Sequence, residues 1–82
     1  MIYFKQTILN QIKAASSEGE VEDVINDSVQ RLKVKKVNGH IIQRFIVSMD
    51  MTLNRSRAER ISAKALQNID IAIVLFMKLQ KT

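Results

Sequence analysis

The sequence contains no cysteine, no proline and no tryptophan. Without cysteine, disulfides, thiolate nucleophiles and cysteine-bound zinc are excluded. Because proline is absent and the only glycines are Gly19 and Gly39, turn signals are few, which favours long helices over an all-β fold. Aromatic residues make up only 5% of the chain, so we expect a core built from Ile, Leu, Val and Met.

A long apolar run is also missing. The longest uninterrupted one, residues 71–77, is far shorter than the ~20 residues that a helix needs to cross a bilayer. The N-terminal residues do not follow the charged, apolar and small-residue order of a secretory signal. We therefore expect a cytoplasmic protein that does not act at a membrane.

The length and the charge distribution bear on self-association. Eighty-two residues suggest one domain. The core of such a small domain is marginal, so self-association would add to the stability of the fold. The net charge of +5 is uneven, because residues 1–30 carry −3, residues 31–64 carry +7 and the remainder carries +1. Such an asymmetry attracts anionic partners or pairs two copies head to tail.

Apolar residues at helical spacing predict two helices in the first part of the chain, over residues 2–15 and from Ser17 to about Leu32 or Lys33. Ser17 and Glu20 have the spacing of a capping box at the start of helix two. Acidic residues crowd this start, where they suit the positive end of the helix dipole and lack the glycine and ligand spacing of a calcium loop. They are Glu18, Glu20, Glu22 and Asp23.

Asn38-Gly39 is the strongest turn signal and is typical of a two-residue β-hairpin. If the residues on either side of this turn are paired as two antiparallel strands, neither face of the resulting hairpin is consistently apolar. The helical spacing predicts instead a third helix from His40 to Leu53, with Gly39 ending the preceding segment in a left-handed conformation. The predicted apolar stripe is Ile41, Ile42, Phe45, Ile46, Met49 and Leu53.

Ser56 and Glu59 form a second capping-box pattern, which predicts a fourth helix from Ser56 to the end of the chain after a link of two or three residues. About 24 residues would make a rod of roughly 36 Å, longer than the ~30 Å diameter of a domain of this size. The predicted core-facing residues are Ile61, Ala65, Leu66, Ile69, Ala72, Ile73, Phe76 and Leu79.

The last turns of helix four are apolar on nearly every side. Ile71, Val74 and Leu75 point away from the core-facing stripe, so they need cover on a second side. Either the three upstream helices wrap them within a monomer, or a second copy of the chain packs on them. The overhanging rod favours the second copy, and we predict Ile71, Val74 and Leu75 as a homodimer interface.

No pattern of catalytic residues stands out. His40 is the only histidine and has no acidic partner or second metal ligand at a telling spacing, and Asp70 falls at the boundary of the apolar stripe. We therefore expect no enzyme activity, no metal and no cofactor.

Basic residues at the predicted start of helix four form the one cluster of side chains that points to a function. Cations there oppose the helix dipole, so helix stability alone does not favour them. Arginines beside exposed N–H groups can bind phosphate, and a helix, a tight link and a longer helix outline a helix-turn-helix. The candidate nucleic-acid patch is Arg55, Arg57, Arg60 and Lys64, helped by Lys33, Lys35 and Lys36.

The sequence thus predicts an all-α domain of four helices with a long C-terminal helix, assembled as a homodimer. The leading functional hypothesis is a small interaction or regulatory module that acts through self-association and a protein partner. The alternative is a dimeric nucleic-acid-binding regulator that uses the basic residues.

Overall fold

A computed structural model describes residues 2–80, with the backbone alone at Ile2. It contains four helices, and no strand occurs between residues 2 and 80, so the prediction of an all-α fold with four helices is confirmed. None of these helices is long and apolar enough to cross a membrane. Their bounds are α1 Ile2–Ala14, α2 Glu18–Val34, α3 Gly39–Ser56 and α4 Ala63–Gln80.

α4 lies at the centre of the molecule, since it packs against all three other helices, whereas α3 packs mainly on α4. Three aromatic rings link α1, α3 and α4. The ring of Phe45 lies 5.5 Å from that of Phe4 and 6.4 Å from that of Phe76, measured between ring centroids. The apolar end of the chain therefore organises the core, as its composition indicated.

The boundaries of α2 are set by hydrogen bonds at both ends. The backbone N–H of Glu20 donates to Ser17 Oγ at 3.2 Å, which confirms the predicted N-cap. At the other end, the N–H groups of Lys36 and Val37 donate to the carbonyls of Lys33 and Leu32 at 3.0 and 3.1 Å. This pairing is a Schellman motif, which closes the helix on its own last carbonyls.

The prediction of a left-handed Gly39 is wrong. Lys36 takes the positive φ of 57°, because the residue that follows the C-cap of a Schellman motif must turn the backbone this way. Gly39 is instead the first residue of α3, and the side chain of Asn38 caps that helix by accepting from the N–H of His40 at 2.7 Å.

The predicted start of helix four at Ser56 is also wrong. Ser56 is the last residue of α3 and is only 3% exposed, because it follows Met49 and Leu53 on the face that packs against the core. α4 begins after Ser62, whose Oγ accepts from the N–H of Ala65 at 3.1 Å. The link between α3 and α4 is therefore residues 57–62.

The shorter α4 removes the predicted overhang. Its 18 residues, as many as in α3, span roughly 27 Å, within the longest molecular dimension of 36 Å. The predicted apolar stripes are otherwise close to the observed core, with two exceptions. Ile41 and Leu66 are exposed rather than buried.

Candidate protein-binding surfaces

The predicted interface residues of α4 share one face of that helix, but they differ in exposure. Val74 is 52% exposed, whereas Ile71 and Leu75 are partly buried against the core. Together they line a shallow hollow of about 170 Å³. We call this surface the α4 open face, and it consists of Glu18, Ile71, Val74, Leu75 and Lys78.

Opposite charges flank the apolar residues of the α4 open face. Glu18 comes from the first turn of α2, and Lys78 comes from the last turn of α4. Each charge suits the helix end on which it lies, since acids favour the N-terminus and cations favour the C-terminus. The face is therefore apolar in the middle and carries one charge of each sign.

The structure does not place the predicted basic patch on one helix face. Arg55 lies in the last turn of α3, Arg57 and Arg60 lie in the link, and Lys64 lies in the first turn of α4. Arg57 is already engaged, because its Nε lies 2.9 Å from the carboxylate of Asp70. The other three are exposed and form no ion pair within residues 2–80.

The second basic cluster lies far from the first. Lys33, Lys35 and Lys36 are at the end of α2, beside the start of α3, whereas the patch of residues 55–64 begins in the last turn of α3 and continues beyond it. The length of α3, roughly 27 Å, separates them. The structure therefore does not bring the two clusters together.

A further exposed apolar surface lies on α3, on the side opposite its core-facing residues. Val47 and Met51 are 45% and 59% exposed there and contribute to a hollow of about 400 Å³. An adjoining hollow reaches α1 through Lys5 and shares two of its residues. We call this surface the α3 outer face, and it consists of Lys5, His40, Ile41, Gln43, Arg44, Val47, Ser48 and Met51.

The sequence prediction missed the α3 outer face, although a signal for it exists. Val47 and Met51 are four residues apart, so they lie on one side of a helix. That side is opposite the predicted stripe, and α3 is therefore apolar on two faces. Only one of these faces meets the core, because α3 packs mainly on α4.

A buried amide is the other feature that the sequence prediction missed. Asn68 is buried in α4, and its Nδ2 donates to the carbonyl of Ala15 at 2.8 Å and to that of Lys13 at 3.4 Å. These carbonyls belong to the end of α1, where helical hydrogen bonds run out. Asn68 thus caps α1 from within the core.

The acidic start of α2 does not form a metal site in the structure. No group of three or more His, Asp or Glu side chains within residues 2–80 is arranged to hold a metal ion. Glu20 instead accepts a hydrogen bond from the backbone N–H of Ser16.

No protein-family model, curated protein or solved structure matches this chain.

Proposed function

We propose that the protein is a small interaction module that acts by self-association, with the α4 open face of one copy packed against that of a second copy. The observation that carries the proposal is the exposure of Val74 on the central helix. A valine that is 52% exposed and flanked by half-buried Ile71 and Leu75 leaves apolar surface in water, which is unfavourable in free energy. A second surface docked on it would remove this apolar area from water.

The charges of the α4 open face suit a twofold arrangement. In a twofold dimer the same patch meets itself, so a residue i that contacts j is matched by j contacting i. Glu18 of one copy would then lie opposite Lys78 of the second copy, and the reverse, which gives two favourable pairs. Exposed pairs of this kind add little affinity, but they select the orientation.

The size of the chain supports the same proposal. A domain of about this length buries a smaller share of its surface than a larger one and gains from an additional apolar contact. Self-association therefore stabilises the fold as well as creating the assembled state, because binding of folded copies shifts the folding equilibrium by mass action.

Sedimentation equilibrium on the unaltered protein, Val74→Asp and Val34→Asp tests the proposal. Val34 is a matched control, since it is a 69% exposed valine at the end of α2 and lies outside the α4 open face. We expect dimers at tens of micromolar for the unaltered protein and for Val34→Asp, and roughly tenfold or greater weakening for Val74→Asp, because the aspartate would be desolvated. A monomeric unaltered protein, or equal association of the two variants, refutes the proposal.

Nucleic-acid binding is the second proposal, supported by the exposed cations Arg55, Arg60 and Lys64 around the link, which have no ion-pair partner between residues 2 and 80. It has weaker support, because α4 would have to act as the recognition helix. The buried residues of α4 extend from Ala65 to Phe76, so most of this helix packs in the core. Retention of duplex DNA at low salt, with affinity falling steeply as salt rises, would favour this second function over the first.

A further inference from the structure

We propose that the α3 outer face is a second docking surface, and that its partner is an amphipathic helix of another protein with acidic residues flanking an apolar stripe. This inference extends the proposed function to a different surface. It does not depend on the α4 open face or on dimer formation.

The apolar part of the surface has the dimensions of a helix-binding site. Ile41, Val47 and Met51 are exposed and extend over about 15 Å along α3, or roughly three turns. A docking helix presents its anchors at i, i+3 or i+4, and i+7, which spans a comparable length. The hollow of about 370 Å³ lies between α3 and Lys5 of α1, and the adjoining hollow of about 400 Å³ is lined by α3 alone.

The charged part of the surface selects the partner. Arg44 lines both hollows, Lys5 lines one of them, and no carboxylate lines either. Lys5 is held in place, because its Nζ donates to Ser48 Oγ at 2.8 Å across the α1–α3 contact. Arg55 adds a further cation one turn beyond Met51. An acidic helix complements this field, whereas a basic one is repelled.

A second copy of the chain does not supply such a helix. The acidic residues of this chain concentrate on α2, where the one exposed large apolar side chain, Val34, lies at the basic end of the helix next to Lys33. The exposed Val74 of α4 is accompanied by Lys78, whose charge repels Arg44. The complementary combination of apolar stripe and carboxylates must therefore come from a different protein.

A lipid surface fits the α3 outer face less well than a helix does. Membrane-surface helices insert a protruding apolar face into the headgroup boundary. Here the apolar residues line hollows, and Lys5 already donates to Ser48 beside one of them. The side chains of a partner helix can enter these hollows, whereas a flat bilayer surface would leave them empty.

Fluorescence anisotropy with two labelled synthetic peptides tests the inference. One is a helical peptide of about 18 residues with a leucine stripe flanked by glutamates, and the other has lysine at every glutamate position. We expect the glutamate peptide to bind at tens of micromolar and the lysine peptide to bind at least roughly tenfold more weakly. Equal binding of the two peptides, or no binding of either, overturns the inference.

Matched variants locate the binding site. Met51→Glu should weaken binding of the glutamate peptide roughly tenfold, because it adds a like charge at the C-terminal end of the exposed apolar residues of α3. Met77→Glu is the control, since Met77 is an exposed methionine on α4 outside both defined surfaces. Equal weakening by the two variants would contradict the assignment.

Two further measurements distinguish a partner helix on the α3 outer face from self-association through the α4 open face and from binding to a lipid surface. Val74→Asp should bind the glutamate peptide as the unaltered protein does, whatever the outcome for the dimer. Vesicles containing phosphatidylserine should bind more weakly than the peptide does. Vesicle binding that is tighter than peptide binding and is abolished by Met51→Glu would replace the partner helix with a lipid surface.

Discussion

Asn68 stabilises the fold through the two N–H donors of its amide. Its Nδ2 reaches the carbonyls of Ala15 and Lys13 at the end of α1, while its Oδ1 finds no donor within residues 2–80. The sequence could not predict this role, because the contact joins residues more than 50 positions apart and depends on how α1 packs against α4. From the sequence alone, an asparagine in a helix reads as an exposed position.

Replacing Asn68 with alanine should lower the free energy of unfolding by about 1–3 kcal/mol, because buried carbonyls at the end of α1 would lose their donor. The matched control is Gln67→Ala, an exposed neighbour on the same helix whose loss should change stability by less than about 0.5 kcal/mol. Urea unfolding of both variants measures the difference. Equal stabilities would show that the buried amide does not cap α1.

Residues 31–39 illustrate how local signals compete. Asn38-Gly39 fits a hairpin turn, a glycine C-cap and a helix N-cap equally well. The choice among them depends on Lys36, which tolerates a φ of 57° because two backbone hydrogen bonds of the Schellman motif hold it there. The existence of the two flanking helices was predictable, but the residue that reverses the chain was not.

At the scale of elements, the apolar stripes were predictable and one boundary was not. The stripes follow from helical periodicity, because each helix turns one apolar face toward the core. The boundary between α3 and α4 depends on whether Ser56 caps a helix or is buried, and the Ser-x-x-Glu pattern fits the first. In the structure Ser56 is buried, because it continues the core-facing stripe of Leu53 and Met49 and packs against the core.

The boundary at Ser62 predicts how proline is tolerated. Ala63→Pro should leave the free energy of unfolding within about 0.5 kcal/mol of its original value, because the first helical residue needs no N–H partner and favours proline. Gln67→Pro, at an exposed position inside α4, should lower it by about 3 kcal/mol or more.

Thermal or urea unfolding of these two proline variants checks the boundary. A helix that ran unbroken from Ser56 would place residue 63 in its interior, and both substitutions would then destabilise the protein to a similar degree. A large loss for Ala63→Pro would therefore contradict an α4 that begins at Ala63.

At the scale of the whole molecule, the length of α4 no longer argues for assembly, since the helix fits within the domain. The composition of the surface supports assembly instead. Both defined surfaces expose apolar residues, with charges of both signs on the α4 open face and only cations on the α3 outer face. This difference in charge is the reason that we propose a second copy as the partner of the α4 open face and an acidic helix as the partner of the α3 outer face.

Charge reversal on the α4 open face tests self-association most directly, by sedimentation equilibrium at tens of micromolar. Glu18→Lys and Lys78→Glu should each associate more weakly alone, because both reciprocal pairs become repulsive. An equimolar mixture should regain association, since the two introduced side chains would face each other across the interface and the unaltered Glu18 would face the unaltered Lys78. A mixture that stays monomeric, while each variant remains folded by circular dichroism, would contradict the twofold arrangement.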